Sequence, residues 1–145
     1  MKYLTLQLPF DPISKPLIIF TDCGRTIKPF SMPLKRQDIR QIRKAKTIVT
    51  ENFDKHITIP ELAKRTGISE TKLKEGFREL YGESIHDYLL QLRIAKAKHL
   101  LSTTAFTIID ITYHVGYSNV THFSSMFKKE VGIPPTEWRK KHRKV

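Results

Sequence analysis

The chain has 145 residues and a formal net charge of +12, from 26 Lys and Arg against 14 Asp and Glu. This length suits one compact domain or two small lobes and excludes a multidomain enzyme. A single cysteine excludes an intrachain disulfide framework and a cysteine-rich metal site. No apolar run approaches the roughly 18 residues of a membrane-spanning helix, and no cleavable signal is recognisable, so we expect a cytoplasmic protein.

Residues 1–33 are predicted to form an irregular N-terminal arm, because they contain 5 of the 8 prolines. Two apolar runs, residues 3–8 and 17–20, favour short strands that pair as a hairpin or lie along the rest of the chain. The arm carries 4 basic and 2 acidic residues and the remainder 22 and 12, so +10 of the charge follows position 33. That distribution favours binding of nucleic acid or of an anionic surface by the later residues.

Residues 34–83 are predicted to form a first helical lobe, which begins with a helix over 34–53. One side of this helix follows spacings of three and four residues and consists of Ile39, Ile42, Lys46, Val49 and Phe53. Arg40, Arg43 and Lys44 lie elsewhere on its surface. For these cations, phosphate contact and a solvated helix face are both open.

Residues 58–82 have the pattern of a helix, a glycine turn and a second helix, which we call the first recognition helix. Thr58 is the expected cap of the first of these helices, with Glu61 as its capping-box partner, and Leu62 and Ala63 should pack inward. Ser69 is the expected cap of the recognition helix. At 3.6 residues per turn, its buried side consists of Leu73, Phe77 and Leu80.

The opposite side of that helix is the predicted first reading face and consists of Thr71, Lys74, Glu75 and Arg78. Arg78 and Lys74 can donate to guanine or to a phosphate, and Glu75 can accept from a cytosine amino group. For Glu75, a surface salt bridge to Lys72 or Arg78 is equally open. Ser69 and Lys72, at the start of the helix, complete the predicted DNA contacts of this lobe.

Residues 84–102 are predicted to form a connector helix, with Ser84 as its cap and Asp87 at the capping-box position. One side of this helix holds Ile85, Tyr88, Leu89 and Leu92. Another side holds Leu90, Ile94, Ala97 and Leu101. Because a helix that is apolar on more than one side is buried on more than one side, we expect the connector to pack on both lobes and fix their separation.

Residues 103–145 are predicted to form a second lobe that repeats the first. With a shift of 49, Ile59, Leu62 and Gly67 fall on Ile108, Ile111 and Gly116, and after the turn the shift becomes 50. Thr107 and Asp110 match a capping box. Two helix-turn-helix copies in one chain resemble what dimeric proteins achieve with two chains, whereas a helical solenoid needs at least three repeats.

The second recognition helix begins after Ser118 or Asn119, either of which can cap it, and should bury Phe123 and Phe127. The predicted second reading face consists of Thr121, Ser124, Ser125 and Lys128, with Asn119, Val120 and His122 at its edge. Lys128 and Lys129 should hold phosphates, while the short polar residues favour shape reading over base discrimination. Trp138 is expected to pack on this lobe, and the basic tail adds phosphate attraction or remains solvated.

The stretch ITYHVGYSNVTHFSSMFKKEVGIPPTEWRK, starting at Ile111, resembles the signature of the AraC/XylS family of bacterial transcription regulators, and the resemblance extends over residues 36–141. It implies an all-α fold of two helix-turn-helix lobes, each a homeodomain-like three-helix unit, joined by a long helix and binding DNA through both recognition helices. Arg93 matches an arginine frequent in that helix, which implies a phosphate contact; an internal salt bridge is the alternative. Two residues depart from the family pattern: Thr112 replaces an alanine, and Ser125 an arginine.

Together these features predict a sequence-specific transcription regulator, an activator or a repressor, that binds double-stranded DNA as a monomer across two adjacent major grooves. The spacing of the six histidines fits no zinc motif, and no nucleotide-binding or catalytic motif is present, so we expect no metal, cofactor or enzymatic activity. One alternative is the interaction module of a truncated regulator, which binds RNA polymerase or a partner regulator. A nonspecific DNA-binding protein is the other.

Overall fold

A computed structural model describes residues 33–144, and the predicted strands of the arm lie outside these residues. Within the described range the chain is all-helical. Its helices are α1 Arg36–Glu51, α2 Ile59–Thr66, α3 Glu70–Tyr81, α4 Ile85–Thr103, α5 Ile108–His114, α6 Val120–Val131 and α7 Pro135–His142. The first lobe comprises α1–α3, the second lobe comprises α5–α7, and α4 is the connector. The first and fourth helices each end within two residues of their predicted limits.

Short polar side chains cap the N-termini of five of these helices, as the sequence predicted. In each, the cap oxygen accepts a hydrogen bond from the backbone N–H three residues later, and the caps are Thr58, Ser69, Ser84, Thr107 and Asn119. Asn119 is therefore the cap of α6, rather than Ser118. The predicted return bond, from the Thr58 N–H to the Glu61 carboxylate, is not formed. The Glu61 carboxylate lies 3.9 Å from Arg65 Nε.

The connector supplies side chains to two separate apolar cores. Ile85, Tyr88 and Leu92 belong to the core of the first lobe, with Leu89 packed against it. The second core takes its connector residues from the other side and includes Ile94, Ala97, Leu100 and Leu101, with Leu90 packed against them. Accordingly α4 contacts α1 and α3 in one lobe and α5 and α7 in the other. The predicted two-sided packing of the connector is confirmed.

The buried side of α3 differs at its C-terminal end from the prediction. Leu73 and Phe77 are fully buried, but Leu80 is 36% exposed, so its predicted burial is wrong. Tyr81 takes the core side of the last turn, where its ring centre lies 4.7 Å from that of Phe77. Gly76 also lies on the buried side, and a Cβ at this position would lie 2.4 Å from Ile42 Cδ1. Leu80 lies on the same side by helical phase, but it is in the last turn of α3, where the core of the first lobe does not cover it.

The first helix also buries a slightly different row from the predicted one. Its buried residues are Asp38, Ile42, Ala45 and Val49, while Ile39, Lys46 and Phe53 are only partly buried. Thr112, at the position where the resembled family has alanine, is completely buried. Its hydroxyl donates to the carbonyl of Ile108 at 2.7 Å. The extra hydroxyl is accommodated because it is hydrogen-bonded within its own helix.

The cap of α5 predicts a pH dependence of stability. Asp110 Oδ2 accepts from Thr107 Oγ1 at 2.6 Å and from Thr107 N at 2.9 Å, and these hydrogen bonds lower the pKa of Asp110 below its usual value. A lowered folded-state pKa stabilises the fold above the unfolded-state pKa, and this contribution is lost as pH falls through the folded-state value. We expect Asp110→Asn to have a lower melting temperature than the wild type at pH 7, and we expect this difference to disappear toward pH 3. Thermal melts across that range measure it, and a gap independent of pH would contradict the expectation.

Candidate nucleic-acid interface

The first reading face is exposed as predicted. Thr71, Lys74, Glu75 and Arg78 are all exposed on α3, while Leu73, Gly76 and Phe77 on the other side are buried. Ser69 uses its hydroxyl to cap the helix by accepting from Lys72 N at 3.4 Å. Among residues 33–144, Glu75 has no cationic partner within salt-bridge distance. Its carboxylate is therefore free to accept a hydrogen bond from a donor on a ligand.

Lys72 belongs to the packing of the lobe as well as to its surface. Its Nζ lies 3.5 Å from Oδ2 of Asp38 on α1, so the alternative pairing with Glu75 is not formed. Asp38 is only 7% exposed and also accepts from Lys35 N at 3.0 Å. Asp38 was not predicted from the sequence, although an acid in the first turn of a helix is a recognised favourable position. The ion pair ties the start of the recognition helix to α1.

The second reading face is also exposed, but it carries less charge. Thr121, Ser125 and Lys128 are exposed, and Ser124 is half-buried. At the edge, the Asn119 side-chain oxygen caps α6 by accepting from His122 N at 3.0 Å. The ring of His122, exposed, meets Tyr117 edge-on at 5.5 Å between centres. Val120 is half-buried, and Lys129 is exposed beside Lys128.

Arg93 does not stand on an open surface of the connector. Its Nε donates to the carbonyl of Phe53 at 2.8 Å, and Nη2 donates to the carbonyl of Lys55 at 3.2 Å. The guanidinium carbon lies 5.1 Å from the centre of the Tyr117 ring. Arg93 therefore forms hydrogen bonds to backbone carbonyls, in place of the internal salt bridge considered as an alternative. Burial raises the pKa of Tyr117, and the nearby Arg93 opposes that shift.

Exposed cations continue beyond the two recognition helices. On α1 they are Arg36, Arg40, Arg43 and Lys44. In the tail, Lys141 pairs with Glu137 at 2.8 Å, and Lys144 N donates to the Ser102 carbonyl at 3.1 Å, so part of the tail is attached to the second lobe. Trp138 packs edge-on against Phe127, 6.2 Å between ring centres, which confirms its predicted place in that lobe.

Residues 33–144 contain neither a metal-binding cluster nor a membrane-spanning helix. No group of three or more His, Cys, Asp or Glu residues there has an arrangement that holds a metal ion. None of the helices in this range has the length and apolar character needed to cross a membrane.

The chain is similar to known helix-turn-helix proteins. The family profile described as a helix-turn-helix domain matches residues 62–141. The HTH-type transcriptional activator RhaR of Enterobacter sp. is 27% identical over 132 residues, which are 88% of this chain and 47% of that protein. The chain thus spans less than half the length of the curated relatives with which it aligns.

Solved structures match the fold over nearly their whole length. The C-terminal domain of AraT, a response regulator from Geobacillus stearothermophilus, has a TM-score of 0.70 and 27% identity, over 72% of this chain and 88% of that one. A transcriptional regulator of Chromobacterium violaceum, described as containing an AraC-type DNA-binding domain, has a TM-score of 0.65 and 26% identity, over 74% of this chain and 96% of that one.

The buried carboxylate of Asp38 generates a stability prediction. Asp38→Ala removes the acceptor of both Lys35 N and the Lys72 ammonium, and we expect it to lower the free energy of unfolding by about 1–3 kcal/mol. Lys74→Ala, on the exposed side of the same recognition helix, should change it by less than about 0.5 kcal/mol. Urea denaturation of both variants measures the difference. Equal stability of Asp38→Ala and the wild type would show that the pair does not hold α1 to α3.

Proposed function

Since the chain belongs to the AraC family of helix-turn-helix proteins, we propose that it is a sequence-specific transcription regulator that binds double-stranded DNA through α3 and α6. The observation that carries this proposal is the pair of exposed reading faces in equivalent positions of two repeated motifs, both braced by one connector helix. Two such helices occupy two successive major grooves when they are about 34 Å apart along the duplex. The protein then acts as a monomer, and no chemical step is needed.

The two faces have different tasks in this proposal. Arg78 and Lys74 donate to base edges or phosphates, and Glu75 accepts from a cytosine amino group, so the first face supplies most of the base discrimination. On the second face, Lys128 and Lys129 hold phosphates while short polar side chains follow the shape of the groove, namely Thr121, Ser124 and Ser125.

The wider electrostatics support the same proposal. The net charge of +12 attracts the phosphate backbone from a distance, and the exposed cations of α1 and α7 extend the positive surface beyond the reading faces. Phosphate contacts give much of the affinity and make it fall steeply with salt. We place the protein in the cytoplasm, where it meets bacterial DNA. We infer that it acts as an activator because its RhaR relative is named as one.

A second candidate function, contact with RNA polymerase or another protein, is favoured by exposed apolar side chains on the second lobe. Ile109 and Tyr113 are one helical turn apart on α5 and are 55% and 59% exposed. Phe106, which precedes α5 and stacks on the ring of His114, is 42% exposed. Exposed apolar groups of this kind are typical of interaction surfaces when they are contiguous. An activator needs both surfaces, so this contact adds to DNA binding.

Selection from a randomised duplex pool tests the proposed function. The protein is incubated with the pool at physiological salt, the bound duplexes are sequenced, and the cycle is repeated. We expect enrichment of one site with two short conserved blocks about one helical turn apart. A bound fraction with random sequence would identify a nonspecific DNA-binding protein, and no binding would leave only the protein-interaction function.

Two single substitutions separate base contacts from phosphate contacts. Arg78→Ala should weaken binding to the selected site by about 1–3 kcal/mol and relax base preference at one position. Lys128→Ala should weaken binding to all duplexes alike and reduce the salt slope by about 1. Fluorescence titrations at several salt concentrations measure both effects. An Arg78→Ala variant with unchanged affinity and salt slope would place Arg78 outside the interface.

A further inference from the structure

Arg93 lies between the last buried connector residue of the first core and the first buried connector residue of the second. Its neighbour Leu92 belongs to the core of the first lobe, and Ile94 belongs to the core of the second. At 100° per residue, side chains at these two positions point about 200° apart, and Arg93 projects between them. A side chain in this place can touch both lobes at once.

On one side Arg93 is fixed to the first lobe by two hydrogen bonds. Nε and Nη2 donate to the backbone carbonyls of Phe53 and Lys55, in the loop that follows α1. The two donors belong to one rigid planar group, so they define the direction of the guanidinium as well as its distance. Backbone carbonyls carry no net charge. This contact therefore depends on the geometry of the two guanidinium donors as well as on the positive charge of the side chain.

On the other side the same guanidinium meets the second lobe. It lies 5.1 Å from the ring centre of Tyr117, which is only 8% exposed in the turn between α5 and α6. The Tyr117 ring in turn lies 5.6 Å from that of Phe123, on the buried side of the second recognition helix. Arg93 thus contacts the loop after α1 directly and reaches the buried side of α6 through one intervening ring, that of Tyr117.

A second, independent contact joins the same two segments. Gly116 adopts φ +86°, and a Cβ at this position would lie 2.6 Å from the carbonyl oxygen of Asp54. The turn of the second lobe therefore touches the loop after α1 directly, backbone to backbone. Only glycine combines that conformation with that approach.

We propose that Arg93 is a positioning residue that fixes the orientation of one lobe relative to the other, and that it thereby sets the spacing of DNA half-sites the protein accepts. This inference rests on the proposed function for its DNA part. It replaces the phosphate contact implied by resemblance, because two of the donors of Arg93, Nε and Nη2, are directed at backbone carbonyls of the protein. The apolar side chains of α4 hold each lobe to the connector. The contacts among Arg93, Tyr117, Gly116 and the 53–55 loop, which we call the joint, hold the lobes to each other.

Binding to duplexes with altered spacing tests the specificity part. The two blocks of the selected site are separated by inserting or deleting one to three base pairs, and each block is also placed alone in a duplex. The variants are Arg93→Lys, which keeps the charge and loses the fork, and Gly116→Ala, which forces the two lobes apart. Lys96→Ala removes an exposed cation from the same helix and serves as the matched control.

We expect the wild type and Lys96→Ala to prefer one spacing sharply. Arg93→Lys and Gly116→Ala should bind single blocks as the wild type does but lose about tenfold or more on the intact site, because the second lobe no longer arrives pre-oriented. Their preference among spacings should flatten. If Arg93→Lys retains wild-type affinity and spacing while Arg93→Ala weakens single blocks and reduces the salt slope by about 1, Arg93 binds a phosphate and the proposal is overturned.

A measurement without DNA keeps the two proposals distinguishable. Spin labels on cysteines at the exposed positions Lys44 and Lys140, in a Cys23→Ser background, report the distance between the lobes by pulsed electron resonance. We expect one narrow distribution for the wild type and Lys96→Ala, and broad or shifted distributions for Arg93→Lys and Gly116→Ala. Unchanged narrow distributions in both variants would overturn the positioning role. If both variants show broadened distance distributions but the wild type selects no DNA site, the positioning role of Arg93 is supported and only the proposed DNA-binding function is rejected.

Discussion

The structure depends on one helix that must be buried on two sides. The connector contributes Leu92 to one core and Ile94 to another, and these side chains point in nearly opposite directions. No single neighbouring layer can cover both, so the helices before and after α4 must pack on different sides of it. The 19-residue length of α4 and the phase of its apolar residues therefore decide where the two lobes lie.

The exposed faces of α3 and α6 follow from the same packing. Each recognition helix presses a pair of residues into its lobe, Leu73 with Phe77 and Phe123 with Phe127, all fully buried. The residues on the opposite side are exposed apart from the half-buried Ser124, and the two copies place equivalent positions there. The copies differ in chemistry: charged groups dominate the first face, and small hydroxyl groups dominate the second. One scaffold thus presents two surfaces suited to different kinds of contact with a duplex.

The many cations of the chain do not form one uniform set. Arg93 directs its donors at backbone carbonyls, and Lys72 is paired with a buried carboxylate, so both contribute to the packing of the protein. Lys74, Arg78 and Lys128 are exposed on the reading faces. A guanidinium is suited to an internal joint because its planar fork satisfies two acceptors while its face lies against an aromatic ring. Net charge alone cannot separate these two groups of residues.

The sequence by itself determined the helices, most of their caps, the repeat, the exposed sides of both recognition helices and the two-sided connector. These features depend on residues within three or four positions of each other, or on a period that the chain displays directly. Only the tertiary structure decided that Leu80 stays exposed, that Asp38 holds Lys72 and that Arg93 joins the two lobes. Each of these depends on where elements distant in sequence lie: how far the first core covers the last turn of α3, α1 against the start of α3, and the loop after α1 against the connector. Periodicity assigns a side chain to one side of its helix, but the neighbour it meets there is set by how the helices pack.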